Sequence, residues 1–250
     1  MNIIAIIPAR MGSSRFPGKP LALINGIPMI EIVYKNTSLC NLVNFTYVAT
    51  CDDEIKNHIE SINGNCIMTS NVHERATERT SEALLNIEKK LNQKFDIVVM
   101  VQGDEPMITS NLIKKSLLPF LSDDKINVVN LMSKIQDIDE FRDKNEPKVV
   151  FDKNYDALYF SREPIPSNKM QNSNEEMYKQ VCVIPFKRDY LLKFNSLSTS
   201  TLEKIESIDM NRILENGDKV RMVPINETVK SVDNLNDLRE VERLLKLKDE

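Results

Sequence analysis

The chain has 250 residues, of which 41% are hydrophobic and 28% charged, and its formal net charge is −4. This length is enough for one large domain with its own core, while the small negative charge argues against a general nucleic-acid surface and leaves room for a small anionic ligand. No apolar run is long enough to span a bilayer, and residues 3–7 already have the pattern of a strand rather than of a secretory leader, so we expect a cytoplasmic protein with no nucleic-acid or membrane partner.

The first half of the chain alternates short apolar strands with amphipathic helices. The predicted strands are Ile3–Ile7, Phe45–Ala49, Cys66–Met68, Ile97–Val101 and Val128–Leu131. The predicted helices are Met29–Ser38, Glu54–Ser61, with Asp52 or Asp53 as its N-cap, Ala76–Leu91 and Asn111–Leu118. The strands are rich in β-branched residues, which suits buried parallel pairing. We therefore predict an α/β fold with a mainly parallel, Rossmann-like sheet flanked by helices.

The pattern changes after Pro147. The next predicted strands are Lys148–Phe151 and Ala157–Phe160, which look antiparallel, followed by Val181–Pro185, Val220–Val223 and Lys230–Val232. The predicted helices are Leu202–Glu215, which Gly217 would stop, and Asn236–Leu247, and residues 167–176 form a polar loop that is a candidate for mobility. We expect one domain over residues 1–250, with a smaller lobe for substrate and dimerisation at about 148–215.

Residues 6–21 (IIPARMGSSRFPGKPL) run from an apolar strand into a loop that carries Arg10, Arg15 and Lys19. The small residues between these cations are Ala9, Gly12, Ser13, Ser14 and Gly18. Small side chains let backbone N–H groups approach phosphate oxygens, and fixed cations stabilise a departing pyrophosphate. A solvated basic turn is the alternative. Two features argue against a P-loop: the spacing of Gly12–Lys19 is one residue too long, and Pro20 stands where that motif has the Ser or Thr that ligates magnesium.

A second polar segment follows the strand at 97–101. Gly103 permits a sharp turn, and Asp104 then lies at a strand end, where open α/β sheets bind ligands. The alternative is that Asp104 or Glu105 caps the helix that starts near Ser110. Asp233 follows the last predicted strand in the same way. Two carboxylates at two strand ends can share metal ions that bridge nucleotide phosphates.

Many motifs in the same order make the chain resemble the CMP-Kdo synthetases, which are 3-deoxy-manno-octulosonate cytidylyltransferases. The stretches that carry the resemblance are residues 6–21, 25–30 (NGIPMI), 47–55 (YVATCDDEI), 76–79 (ATER), 101–108 (VQGDEPMI), 148–152 (KVVFD), 157–166 (ALYFSREPIP), 178–188 (YKQVCVIPFKR), 202–206 (LEKIE), 213–217 (ILENG) and 231–238 (SVDNLNDL). The resemblance runs nearly end to end. It implies a nucleotidyltransferase sheet, a role in nucleotide-sugar supply for lipopolysaccharide biosynthesis, and a homodimer that pairs through the smaller lobe.

The resemblance implies that CTP is the nucleotide. The residues implied to bind it are Pro8, Ala9, Arg10, Arg15, Lys19, Met68, Thr69, Ser70 and Gln102. Arg10 and Lys19 would hold the triphosphate, and the main chain around Ala9 would read the cytosine. Asp104 and Asp233 would hold Mg²⁺. Arg10, Lys19 and these two aspartates are the expected catalytic residues.

The same resemblance places an acidic sugar between the sheet and the smaller lobe. The residues implied to bind it are Arg79, Gln102, Arg162, Tyr178, Gln180, Glu203 and Glu206. Arg79 or Arg162 is the natural partner of its carboxylate. Arg162 has the alternative of pairing with Glu163 or Asp152 on an exposed surface. The two glutamates, at i and i+3, have the alternative of forming a solvated acidic helix face.

Two departures from the family pattern fall on the acceptor half. The family usually has Ser-Gly where this chain has Arg75 and Ala76, and it has His, an apolar residue and Gly where this chain has Gln180–Cys182. His73 either replaces the missing imidazole or is a surface residue. The acceptor therefore stays open between Kdo, an 8-amino derivative, a nonulosonic acid and a non-sugar acid. A CTP-binding regulator without catalysis is the alternative from another class.

Overall fold

The computed structural model describes residues 1–12, 15–167 and 176–249 of the chain. Ser13 and Ser14 of the expected phosphate loop lie outside these residues, as do all but the two ends of the loop expected at 167–176. Within the described ranges, no helix combines the length and the apolar character that crossing a membrane requires.

The strands are β1 (Ile3–Pro8), β2 (Leu23–Ile24), β3 (Ile27–Pro28), β4 (Phe45–Thr50), β5 (Cys66–Met68), β6 (Ile97–Val101), β7 (Val129–Lys134), β8 (Lys148–Phe151), β9 (Ala157–Ser161), β10 (Tyr178–Val181), β11 (Val183–Lys187) and β12 (Arg221–Ile225). The helices are α1 (Met29–Ser38), α2 (Asp53–Ser61), α3 (Ala76–Leu91), α4 (Ser110–Ser122), α5 (Ile138–Arg142), α6 (Arg188–Ser196), α7 (Thr201–Glu206), α8 (Met210–Glu215) and α9 (Leu235–Asp249). A 3-10 turn covers Lys19–Leu21.

The first sheet has the strand order β11-β6-β1-β4-β5, and all its pairings are parallel except that of β11 with β6. Every residue of β1 is buried, as a strand covered on both faces requires. Ile4 and Ile6 pack in one core with α3 and α6, whereas Ala5 and Ile7 pack in a second core with α1, α2 and α4. Helices therefore cover both faces, and the predicted α/β fold is confirmed.

The carboxyl ends of β1 and β6 lie side by side in the middle of this sheet. Ile6 of β1 is in register with Met100 of β6, so the loops that follow the two strands leave the sheet at the same edge. The neighbours of β1 are β4 on one side and β6 on the other. Ligands of open α/β sheets bind at such a switch point. The fold thus brings the expected phosphate loop next to the acidic turn.

The second sheet has the order β12-β7-β10-β8-β9, parallel between β12 and β7 and antiparallel elsewhere. Only Cys182 separates β10 from β11, and at this residue the chain passes from the second sheet to the first. A bridge between Val128 and Phe186 joins the two sheets again. Cys182 therefore marks the corner between them. The division into a main body and a lobe at about 148–215 stays a prediction.

Several local predictions are confirmed. β8 and β9 are antiparallel, and Gly217, with a φ of 76°, follows α8 as the predicted helix stop. The sequence pattern missed β10, α5, α6 and the hairpin β2–β3. That hairpin turns at Asn25 and Gly26, whose φ values are 50° and 83°; an Asn-Gly pair is typical of such a turn.

Two predicted elements are wrong. Residues 230–232 are not a strand, because their backbone pairs with a turn instead of a neighbouring strand: the Val232 N–H donates to the carbonyl oxygen of Asp104 at 2.9 Å. The helix predicted over Leu202–Glu215 is interrupted between α7 and α8. Ser207 adopts the left-handed conformation there, with a φ of 54°, which ends the first helix.

Candidate active site

A cleft of about 400 Å³ opens at the carboxyl edge of the first sheet. One wall is the loop after β1 and the turn after β6, and the facing wall comes from the segment before α3, the end of β9 and the turn between α7 and α8. The predicted site residues that line the cleft are Pro8, Ala9, Arg10, Arg15, Lys19, Arg79, Gln102, Asp104, Arg162, Gln180 and Asp233. The predicted site residues outside the lining are Met68, Thr69, Ser70, Tyr178, Glu203 and Glu206.

Backbone and side-chain hydrogen bonds fix the loop after β1. The Met11 N–H donates to Oδ2 of Asp52 at 2.7 Å, and the Gly18 N–H donates to the Met11 carbonyl oxygen at 3.1 Å. Gly18 has a φ of 74°, a conformation that glycine adopts without steric cost. Asp52 occupies the predicted N-cap position of α2, but its side chain makes no capping bond and holds the loop after β1 instead.

Gly103 lets the acidic turn approach the loop after β1. A Cβ at this position would lie 3.2 Å from the carbonyl oxygen of Pro8 and 3.2 Å from Cδ1 of Ile30. The prediction that Asp104 or Glu105 caps the following helix is wrong, because the N-cap of α4 is Thr109, whose hydroxyl accepts the Leu112 N–H. The carboxylate of Asp104 is thus available to the cleft.

Lys19 joins the two predicted metal ligands. Its Nζ lies 2.6 Å from Oδ2 of Asp104 and 3.6 Å from Oδ1 of Asp233, and it also donates to the carbonyl oxygen of Val232 at 2.8 Å. Burial is the main cause that raises the pKa of Asp233, and the nearby charge of Asp104 adds to it, whereas Lys19 opposes it. One ammonium therefore contacts two carboxylates that lie 129 residues apart in sequence.

The two arginines of the loop lie nearer the solvent. Arg15 places NH2 at 2.9 Å from Oδ1 of Asp233 and NH1 at 2.5 Å from Oδ1 of Asn145, so its side chain spans the cleft. Arg10 is exposed and forms no ion pair with any residue in the described ranges. Arg10 is thus free to meet an anion at the mouth of the cleft.

The segment predicted to read the base is tied to Arg79. NH1 of Arg79 donates to Oγ1 of Thr69 at 2.5 Å and to the carbonyl oxygen of Ser70 at 3.2 Å. Arg79 is only 3% exposed, and its NH2 is buried without a hydrogen-bond partner among the described residues. A buried donor without a partner is costly, so this group is suited to a ligand oxygen.

Arg162 has a different set of contacts. Its Nε donates to the carbonyl oxygen of Glu206, its NH1 to that of Lys144, and its NH2 to that of Ser207. The prediction that Arg162 pairs with Glu163 or Asp152 on the surface is therefore wrong. Burial lowers the pKa of Arg162, and Arg15 lowers it further.

The two predicted acceptor residues of β10 differ in position. Gln180 lines the cleft, and its Nε2 donates to Oδ1 of the buried Asn130 at 2.6 Å. The hydroxyl of Tyr178 instead donates to Oε2 of Glu176 at 2.6 Å, away from the cleft. Positions 178 and 180 share one face of β10 because side chains alternate along a strand, but of the two only Gln180 lines the cleft.

Glu203 and Glu206 do not form a solvated face. Glu203 is fully buried and accepts two hydrogen bonds from Arg212, at 2.7 Å from Nε and 2.5 Å from NH2. Glu206 accepts from the hydroxyls of Tyr159 and Ser161 and from the Arg162 N–H. Both carboxylates therefore support the wall that carries Arg162 rather than line the cleft.

The sequence analysis did not predict that Glu105 is a buried residue of the cleft. Its Oε1 accepts the Cys182 N–H at 3.0 Å, and it lies in the cleft with 4% exposure. Burial raises the pKa of Glu105 to about 8, and the charge of Asp104 contributes in the same direction. Its position in the GDEP motif was the available signal. His73 also lines the cleft, where its ring pairs with Glu82.

The sequence matches the cytidylyltransferase family over residues 4–223. It is 38% identical to a 3-deoxy-manno-octulosonate cytidylyltransferase of Pelobacter propionicus, covering 95% of both chains, and 38% identical to the protein of that name from Geobacter metallireducens, covering 96% of both. The solved structure of a CMP:2-keto-3-deoxy-manno-octonic acid synthetase complexed with CTP superposes with a TM-score of 0.88 at 33% identity, covering 99% of this chain and 100% of that one. The loop after β1 and the acidic turn both fall inside the matched residues, and this chain belongs to the cytidylyltransferase family.

Proposed function

We propose that this chain transfers the cytidylyl group of CTP to the anomeric hydroxyl of a 3-deoxy-2-ulosonic acid, with Kdo as the first candidate, and releases pyrophosphate. The observation that carries the proposal is the convergence of Lys19, Asp104 and Asp233 beside a basic loop in a member of the cytidylyltransferase family. The similar proteins are named for Kdo, and one was solved with CTP.

In the proposed reaction, the anomeric oxygen attacks the α-phosphorus in line. The bond from that phosphorus to the bridging oxygen of the pyrophosphate breaks, and the hydroxyl proton passes to solvent. Arg10, Arg15 and Lys19 stabilise the charge that accumulates on the leaving group. No protein nucleophile is needed. Burial raises the pKa of the Cys182 thiol well above its usual value, so this residue of the cleft stays protonated.

Asp104 and Asp233 have the chemistry to hold a divalent cation. The ammonium of Lys19 already stands between their oxygens, and carboxylate oxygens are ligands that Mg²⁺ prefers. We propose Mg²⁺, which when bound would offset the α-phosphate charge and lower the pKa of the attacking hydroxyl. Among the described residues there is no cluster of three or more His, Cys, Asp or Glu side chains, so phosphate and water oxygens would complete the coordination.

The proposed binding site for the cytosine base is formed by both main-chain and side-chain groups. Pro8 and Ala9 line the cleft, and the Ala9 N–H is already used by the carbonyl oxygen of Ala49, which fixes this stretch against β4. Thr69 and Ser70 accept hydrogen bonds from Arg79, and Gln102 directly follows β6. In this proposal the loop after β1 and Gln102 contact the nucleotide, while Thr69 and Ser70 hold the side chain of Arg79.

For the acceptor, Arg79 is the better partner of the carboxylate. It has an unused buried donor, whereas all three nitrogens of Arg162 already donate to carbonyl oxygens. We expect Arg79→Gln to raise the KM for the acceptor by about 10-fold to 100-fold, since hydrogen bonds to charged groups contribute about 1.5–3 kcal/mol. The KM for CTP should stay within about twofold, measured by steady-state pyrophosphate release.

The exposed Lys89 on the last turn of α3 supplies the control. Lys89→Gln removes a positive charge from the same helix without touching the cleft, and both KM values should be unchanged. If Arg79→Gln raises the KM for CTP instead, Arg79 serves the nucleotide and its assignment to the acceptor is wrong.

The proposed function is tested by pyrophosphate release from CTP with a panel of acids, with and without Mg²⁺. We expect pyrophosphate release with Kdo or a related 3-deoxy-2-ulosonic acid, and no release when Mg²⁺ is left out. If only a nonulosonic or a non-sugar acid supports pyrophosphate release, cytidylyl transfer is retained and the proposed acceptor is wrong. Tight CTP binding without pyrophosphate release in the presence of any acid would favour a CTP-binding regulator without catalysis.

We also propose a cytoplasmic homodimer. β9 is an edge strand of the second sheet, and Leu158 on it is 62% exposed, a combination that suits pairing with a second copy. Sedimentation analysis distinguishes the dimer from a monomer.

A further inference from the structure

Arg75 is a charged residue of the cleft that no step of the proposed reaction uses. It immediately precedes α3, its side chain is 29% exposed, and it lines the wall that faces the phosphate loop. NH1 of Arg75 donates to Oγ of Ser207 at 3.2 Å and lies 3.5 Å from the carbonyl oxygen of the same residue. These contacts hold the guanidinium at the surface of the cleft.

The charge of Arg75 is only weakly balanced. The nearest carboxylate, Glu203, lies 3.9 Å from Nε, and this carboxylate is already paired with Arg212 through two shorter hydrogen bonds. Within the described ranges, Nε and NH2 of Arg75 donate no hydrogen bond. A partly exposed guanidinium with unused donors in a binding cleft is suited to contact a ligand.

The position of Arg75 relative to Arg79 indicates which part of the ligand it meets. The two residues are four positions apart, which is about one helical turn. Arg79 is 3% exposed at the inner end of this wall, and no residue of α3 after Arg79 lines the cleft. An acceptor held at Arg79 by its carboxylate therefore extends outward past Arg75.

We infer that Arg75 is a specificity-determining residue that contacts the end of the acceptor remote from its carboxylate. It favours a neutral or anionic oxygen group there and selects against an ammonium group, because like charges at close range repel. The inference rests on the proposed function and assigns its acceptor class. Asp209, in the adjacent turn between α7 and α8, is the competing charge, but its Oδ2 accepts the hydroxyl of Thr77 at 2.9 Å.

The test compares Kdo with its 8-amino derivative as acceptors at saturating CTP. We expect the wild-type chain to prefer the hydroxyl form by at least about tenfold in kcat/KM, which corresponds to about 1.4 kcal/mol. Arg75→Gln should reduce this ratio to about twofold or less while leaving the KM for CTP unchanged. Arg75→Lys keeps the positive charge and should keep most of the preference.

Three results would overturn the inference. If Arg75→Gln lowers kcat/KM equally for both acceptors, Arg75 has a structural role. Circular dichroism of this variant, with Arg75→Lys for comparison, shows whether the loss comes from unfolding. A wild-type preference for the amine would show that Asp209 sets the charge of the site. Either result leaves cytidylyl transfer intact. A wild-type chain that releases no pyrophosphate with either acid or with the wider panel overturns the proposed function as well.

Discussion

Replacing Asp104 by Asn is expected to lower kcat about a thousandfold or more. Asn keeps the size of the side chain but removes the negative charge that would hold the divalent cation. A cation of this kind contributes several kcal/mol of transition-state stabilisation. The expected loss is in kcat rather than in the KM for the acceptor, because Asp104 lies beside Lys19 of the expected phosphate loop. Pyrophosphate release measures it, and Mn²⁺ binding in the presence of CTP, followed by electron paramagnetic resonance, should weaken in parallel.

Asp124→Asn is a matched control for this variant. Asp124 is exposed, and its side chain forms no ion pair with any residue in the described ranges and does not line the active-site cleft. Its turnover and melting temperature should equal those of the wild-type chain. Near-normal turnover in Asp104→Asn would remove the metal assignment, and the melting temperature checks that any loss does not come from unfolding.

The second large effect concerns stability. Glu203→Gln is expected to lower the free energy of unfolding by about 3–5 kcal/mol, because it leaves the buried charge of Arg212 without its partner. The carboxylate is fully buried, and the guanidinium is 4% exposed. For a chain of this size, the melting temperature should fall by roughly 6–20 °C. Thermal unfolding followed by circular dichroism measures the change.

An exposed ion pair in the same chain gives the comparison. Lys144 and Glu163 lie 2.5 Å apart, but their side chains are 70% and 62% exposed. Glu163→Gln should leave the melting temperature nearly unchanged, because solvent screens an exposed ion pair of this kind. If Glu203→Gln raises the KM for the acceptor at unchanged stability, Glu203 contacts the substrate after all, as the sequence resemblance implied.

The nucleotide half of the site was the more predictable from sequence. The loop with Arg10, Arg15 and Lys19 follows directly from one buried strand, so its position depends on local contacts. The proximity of Asp233 to Asp104 was also expected, but for the wrong reason: an extended segment bonded to the acidic turn, and not a strand, brings Asp233 there.

The acceptor half was less predictable because it depends on contacts between distant segments. Glu203 and Glu206 share the spacing of an exposed helix face, yet the turn at Ser207 folds α8 back so that Arg212 reaches Glu203. The pattern of α7 alone contains no sign of this partner. Likewise, the three carbonyl partners of Arg162 come from residues 18 to 45 positions away.

The ammonium of Lys19 gives the empty enzyme a built-in counter-ion. Two aspartates that face each other would repel, and Lys19 removes that penalty before any substrate arrives. Lys19 also contacts the oxygens that the proposed divalent cation would need, and together with Arg15 it offsets the charges of both aspartates. In the proposed reaction, an incoming triphosphate would offer Lys19 new anionic partners and release the two carboxylates. Binding of the proposed cation would then be coupled to binding of the nucleotide.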